Sequence, residues 1–227
     1  MGPFSLIEML DLPFLYEDNH LLAVNKPAGL LAQADLSGDL DVLTVAKQLI
    51  KERDGKPGNV FLGLVHRLDR PVSGVMALAK TSKAASRLSA QFREREPEKR
   101  YLAVVSGSPD PQRAELRHFL RKDRAARKTV VVGSEREGKQ ALLRYEVIDR
   151  RGDRSLVRVL LITGLPHQIR AQLAAAGHPI VGDRKYGSAE PLARGKVALH
   201  AESLTLRHPV RPETVELTAG APAHWPW

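Results

Sequence analysis

Three polar segments stand between apolar runs of this 227-residue chain, and their residue types could do chemistry. The first is Lys26-Pro27-Ala28-Gly29. The second is His66-Arg67-Leu68-Asp69-Arg70-Pro71-Val72-Ser73-Gly74. The third is His167-Gln168-Ile169-Arg170, followed by Gly177-His178-Pro179-Ile180-Val181-Gly182-Asp183. Polar side chains on turns between rigid elements are where sites are commonly built. The acid of the second segment, Asp69, sits between Arg67 and Arg70. An ionised carboxylate there could act as nucleophile or as general base. The same setting describes a turn-forming aspartate or a surface ion pair, which is worth little. Asp69 alone does not decide between these readings.

The elements that must hold these segments follow from periodicity. Leu21 to Asn25 reads as a strand ended by the Pro-Gly turn. Apolar residues at Val42, Val45, Ala46, Leu49 and Ile50 have the spacing of a helix face. Phe61 to Val65 and Val75 to Ala79 read as paired strands, with the Asp69 segment as the loop between them. Ser82 is placed to cap a helix with Ala85, Leu88, Ser89 and Phe92 on one side. Tyr101 to Val105, Leu142 to Ile148, Leu156 to Ile162, Ala198 to Leu206 and Val215 to Thr218 read as further strands. Pro166 suits the first turn of a helix running through His167, Ile169, Arg170 and Leu173 and stopped by Gly177. Several connections are too short for a parallel crossover. The expectation is an α+β fold with a mixed, mainly antiparallel sheet and flanking helices. No linker of biased composition divides the chain, so one continuous domain is expected.

Composition narrows the function classes. There is no cysteine, which removes disulfides, thiolate metal sites and a cysteine nucleophile. Eight histidines show no metal-ligand spacing such as HExxH. Gly133-Ser134-Glu135-Arg136-Glu137-Gly138-Lys139-Gln140 approaches a phosphate-binding loop, but Gln140 stands where a Ser or Thr must hold magnesium. No GxGxxG or GxSxG is present. The expectation is chemistry without cofactor, nucleotide or metal. No signal peptide or membrane-length apolar run is visible, which fits a cytoplasmic protein away from membranes. The net charge of +9 suits a polyanionic partner. Between Arg113 and Lys128 seven basic residues face two acidic ones. That segment reads either as a phosphate-contacting loop, with Arg121, Lys122, Arg124, Arg127 and Lys128 at its centre, or as an exposed polar connection.

Taken together, these segments resemble the RluA-type pseudouridine synthases. His66 to Gly74 matches the HRLDxxxSG signature, with Ala79-Lys80-Thr81 continuing it. Asn25 to Gly29 matches the NKPxG turn. Lys99-Arg100-Tyr101 with Val104, Val105 and Gly107 resembles the segment bearing the family's tyrosine. His167-Gln168-Ile169-Arg170, Gly182-Asp183 and Tyr186-Gly187 resemble the third motif, and Leu206-Arg207-His208-Pro209 the last strand. The likeness spans roughly residues 15 to 225. It implies the pseudouridine synthase fold with a central catalytic cleft, and isomerisation of uridine to pseudouridine in structured ribosomal or transfer RNA. Asp69 would be the catalytic carboxylate, Arg170 the arginine that pairs with it, and Tyr101 the ring packed on uracil. Arg67 would fill the gap left by the flipped nucleotide, since a stacked base is out of reach. His66 would either contact RNA or brace its loop, and His167 would contact substrate. Whether Asp69 attacks C1′, attacks C6 or abstracts the 2′ proton stays open.

The likeness also sets expectations about organisation: an extension over residues 1–14, a catalytic domain over 15–227, and no N-terminal S4 domain. A monomer is expected. One departure stands out. The family usually reads Gly-Arg-Thr before His-Gln-Ile-Arg, and this chain has Gly164-Leu165-Pro166. The competing reading is a non-catalytic RNA-binding protein that kept the fold; more distant is a hydrolase using Asp69 to release free uracil.

Overall fold

A computed structural model describes residues 12–55, 57–223 and 225–227. Most of the expected extension, residues 1–11, lies outside them. The chain falls into two compact units. The first comprises residues up to Pro97 together with Leu204–Ala219. The second comprises Glu98–Ser203 together with Gly220–Trp227.

The first unit holds strands β1 (Phe14–Glu17), β2 (Leu21–Lys26), β3 (Gly63–Leu64) and β4 (Ser73–Ala79). It also holds helices α1 (Val42–Arg53) and α2 (Ser82–Glu94). Strand β2 pairs antiparallel with both β1 and β4, and β3 pairs antiparallel with β4. Every residue of β4 is buried, because helices cover both faces of the sheet. On one face Leu22, Val24, Met76 and Leu78 meet Val42, Val45, Ala46 and Ile50 of α1, and Leu12 joins this core. On the other, Leu21, Ala23, Val75 and Ala77 meet Ala84 and Leu88 of α2. The two-residue alternation of a strand sends neighbouring side chains to opposite cores. Asp41 caps α1 by accepting from the N–H groups of Leu43 and Thr44. Thr81, not Ser82, caps α2: its hydroxyl accepts from Ala84 N, and Ser82 opens the first turn.

The second unit holds strands β5 (Glu98–Ser106), β6 (Arg113–Asp123), β7 (Lys128–Val132), β8 (Lys139–Arg151) and β9 (Arg154–Leu161), and helix α3 (Gln168–Ala175). The strand order is β5-β9-β8-β6-β7, and each of these pairings is antiparallel. Strand β10 (Leu199–Arg207) belongs to this unit up to Ser203 and to the first from Leu204, where β11 (Thr214–Thr218) pairs with it. The parallel bridge Leu31–Asp41 makes the pairing mixed. The expected α+β class with a mainly antiparallel sheet is the observed one.

Two readings are corrected. The basic segment from Arg113 is a hairpin rather than a loop: β6 and β7 pair from Phe119–Val132 to Asp123–Lys128. Only residues 124–127 form its turn, where Asp123 accepts from Ala126 N and Arg127 takes a left-handed φ of 48°. Charges on alternate residues hide the two-residue alternation of the less exposed Ala114, Leu116, His118 and Leu120. Helix α3 starts at Gln168, with His167 as its N-cap at φ 52° and Pro166 before it. The Pro166 carbonyl is held by Thr129 Oγ1 instead of entering the helix.

Candidate active site

In the first unit the chain leaves β3 at Leu64 and returns as β4 at Ser73. The intervening loop is fixed at both ends. His66 carries on where β3 stops: its Nε2 accepts from Ala77 N at 2.9 Å, and its ring stacks on Phe92 at 4.5 Å. An accepting ring nitrogen carries no proton, so these contacts brace the loop. Leu68 and Val72 are buried anchors, and Val72 N donates to the Asp69 carbonyl at 3.0 Å, closing a tight turn. Asp69 is half-buried on that turn, while Arg67 is exposed. Arg70 reaches back to the Gly29 carbonyl and pairs with Asp39.

Beneath the turn lies Lys26, with no exposed surface. Its Nζ donates to the carbonyls of Leu30 at 2.7 Å, Pro27 at 3.1 Å and Arg70 at 3.1 Å. Serving three carbonyls takes all three N–H groups of an ammonium. Burial pushes the Lys26 pKa down to about 7, the Asp69 carboxylate opposes that, and Arg70 adds to it. One buried cation thus ties the Lys26–Gly29 turn to the Asp69 turn and lends it positive potential.

In the second unit, Tyr101 is almost fully buried on β5, opposite Val159 of β9. Arg170 lies in the first turn of α3, buried. Asp183 grips its guanidinium with both oxygens, at 2.6 Å from Nε and 2.8 Å from Nη2. Such a two-bond fork fixes direction as well as charge. The Tyr186 ring lies 5.0 Å from the Arg170 guanidinium carbon, within cation–π range. The Tyr186 hydroxyl accepts from Thr129 N at 2.8 Å and meets His167 Nδ1 at 2.9 Å. Burial raises the Tyr186 pKa, so the phenol stays protonated. Gln168 accepts from the Thr163 hydroxyl and Leu165 N, and donates to the Leu142 carbonyl. Gln172 donates to the Leu116 and Ala141 carbonyls. The sequence assigns no role to these two glutamines or to Tyr186; the signal for the glutamines is their polar i, i+4 spacing, beside Arg170, on a helix whose other residues are apolar. Leu165, where the family usually has arginine, packs beside Leu120, Ala141 and Ala171.

Gly182, one residue before Asp183, has φ +86°, and a Cβ there would lie 2.6 Å from the Lys196 carbonyl oxygen. Only glycine lets the chain turn there and deliver Asp183 to Arg170. On the hairpin, Arg121, Lys122, Arg124 and Arg127 are exposed and Lys128 half-buried. Arg113 and Arg117, also in the basic run, are paired with Glu146 and Glu115.

Comparison with known proteins agrees with the resemblance. The family model described as RNA pseudouridylate synthase matches residues 20–175. The chain is 40% identical over 213 residues to the dual-specificity RNA pseudouridine synthase RluA of Escherichia coli, covering 92% of this chain and 93% of that one. It is 33% identical over 225 residues to the ribosomal large subunit pseudouridine synthase D of Zymomonas mobilis, covering 94% and 70%. The solved structure of human RNA pseudouridylate synthase domain containing 4 superposes with a TM-score of 0.79 at 28% identity, covering 97% of this chain and 93% of that one. The chain belongs to the RNA pseudouridylate synthase family. It is an RNA pseudouridine synthase, an isomerase that acts on uridine in RNA. Among the described residues no helix is long and apolar enough to cross a membrane.

Proposed function

We propose that this synthase uses Asp69 as its catalytic carboxylate on a flipped uridine in ribosomal or transfer RNA, as a cytoplasmic monomer. In the reaction the N1–C1′ bond breaks and a C5–C1′ bond forms. The C5 proton is released and N1 takes one up, so the formula is unchanged. Arg170 and Tyr101 act with Asp69, Arg67 and His167 meet the RNA, and His66, held by Ala77 N and Phe92, braces the loop that carries Asp69. The observation that carries the assignment is the construction around Asp69: a tight turn, two buried anchors and a buried ammonium, all spent on holding one half-buried acid. A surface ion pair would need none of that support. Support for RNA as substrate comes from family membership and from the hairpin cations Arg121, Lys122, Arg124, Arg127 and Lys128, which no carboxylate partners among the described residues.

The test is release of tritium from C5-labelled uridine in RNA. Wild-type protein is expected to release it, and Asp69→Asn, which keeps the shape and removes the charge, to release none. Equal release by both would remove Asp69 from the chemistry. Free uracil with an abasic site, and no pseudouridine, would mark a hydrolase. No release by wild type, with RNA still bound, would mark a protein that kept only the fold.

A further inference from the structure

A cleft of about 490 Å³ opens in the second unit between strand β7 and helix α3. Lys128 to Val131 form one wall, and Ala171, Ala174 and Ala175 the other. The turn from Arg184 to Gly187 closes one end. Its charge is one-signed. Arg184 and Lys185 are exposed and Lys128 half-buried. Among the described residues no carboxylate pairs with any of the three: Asp183 is committed to Arg170, and Asp123 to Ala126 N. Among the described residues Lys185 Nζ donates only to the neutral Arg127 carbonyl, at 3.1 Å, which leaves its charge uncompensated there. Beside the cleft lie the hairpin cations Arg124 and Arg127, whose turn Lys185 thereby fastens.

The wall adds backbone donors. Strand β7 ends the strand order, and an edge strand leaves N–H groups outside the ladder. Thr129 N–H is one such group and is taken by the Tyr186 hydroxyl. Two residues on, Val131 N–H points the same way by the strand's alternation. Val131 lines the cleft and is exposed. Concave shape, three uncompensated cations and an outward amide together suit a run of phosphates. The small alanine side chains let a sugar come close.

We infer that this cleft seats a stretch of the sugar-phosphate backbone of the substrate RNA, held by Lys128, Arg184 and Lys185. This rests on the synthase reading and extends it to two cations outside the segments first singled out. Backbone contacts of this kind set register and affinity without reading sequence.

The experiment measures binding of a fluorescein-labelled, uridine-containing RNA stem-loop of about 20 nucleotides across salt from about 50 to 200 mM. Arg184→Gln combined with Lys185→Gln is expected to weaken binding about tenfold near 150 mM salt and to flatten the log–log salt slope by about 1.5, since each phosphate contact contributes about 0.7 to 0.9. Arg184→Lys with Lys185→Arg, which keeps the charges, is expected to bind as wild type does. Wild-type affinity and slope in the double glutamine variant would overturn the seat. So would equal competition by polyglutamate, which would make the surface a generic polyanion binder. Tritium release by the wild type is scored separately. Its absence would sink the synthase reading while the affinity comparison still decides the cleft.

Discussion

Asp183 is the residue on which Arg170 depends most visibly. Both side chains are buried, 1% and 6% exposed, and joined by two bonds. Removing a doubly bonded carboxylate from a buried guanidinium is costly, typically about 3–5 kcal/mol. Asp183→Asn replaces one acceptor oxygen with an NH2 that faces the Arg170 donors. It is expected to lose about 3 kcal/mol in urea denaturation and to lower tritium release more than RNA affinity. A variant as stable as wild type would show that some other group carries the neutralisation. Lys26 offers a second case, with pH as the variable. In the folded protein its pKa lies near 7, below the usual lysine value of about 10.4. Between those values the unfolded chain binds more protons than the folded one, so this group makes stability rise with pH across that window. Below about 7 both states are protonated and its cost is fully present. Lys26→Met is expected to abolish that rise and, by stranding three carbonyls, to lower stability near pH 7 by about 2–4 kcal/mol. Denaturation curves at several pH values check both, and parallel pH profiles would refute the assigned titration. Asp69 and Arg170 stood out in the sequence because each sits in a motif with neighbours of unusual type. The role of Asp183 did not show, because its meeting with Arg170 depends on the Gly177–Gly182 return, and an aspartate after glycine looks like any turn residue.

The hairpin of β6 and β7 illustrates what sequence periodicity hides. Its outer face carries Arg113, Glu115, Arg117 and Arg121, and the charge run drew attention away from Leu116 and Leu120 between them. The charge itself was legible, and the strand pairing was not. The start of α3 was misplaced for a related reason. Pro166 is a good first-turn residue in isolation, but Thr129 on β7 captures its carbonyl, and that partner is 37 residues away in sequence. The Thr129 N–H and the His167 ring meet at the Tyr186 hydroxyl, and Tyr186 thus joins β7, His167 and Arg170. Tyr186→Phe keeps the ring against Arg170 and removes the hydroxyl. Thr129 N–H and His167 Nδ1 then lose their bonds to the Tyr186 oxygen, at an expected cost of about 1–2 kcal/mol. Faster hydrogen exchange at Thr129, with tritium release reduced several-fold, is the expected outcome. Unchanged exchange at Thr129 would mean that the hairpin is held by other contacts.

At the scale of the whole molecule, the division into two units was the least legible feature. No linker marks Pro97, and residues 204–219 return to the first unit after the chain has run through the second as far as Ser203. Such a return is a product of strand pairing between distant segments, and composition does not register it. The first unit also concentrates the acid-sensitive contacts. Glu17, at the end of β1, is 19% exposed and bonded to Arg53 and Lys80. The Arg53 hydrogen bond lowers its pKa most, burial works against that, and Lys80 lowers it further, to about 2. Burial acts to raise the pKa of Asp18 beside it, but the N–H groups of His20 and Leu21, with His208 and Tyr16, outweigh it and hold it well below the usual range. A carboxyl lowered on folding contributes stability above its unfolded value, about 4.3 for glutamate, and loses it as pH falls towards the folded value. For Glu17 that window runs from about 4.5 down to about 2. Arg53 is half exposed, and screening reduces the contribution to about 1–2 kcal/mol. As pH falls through the window, amides of β1 and β2 are expected to lose exchange protection before those of β5 and β9. Glu17→Gln is expected to remove part of that acid sensitivity while lowering stability at neutral pH. Simultaneous loss of protection in both sets of strands would show that acid unfolds the chain as one cooperative body rather than through the strands that Glu17 and Asp18 secure.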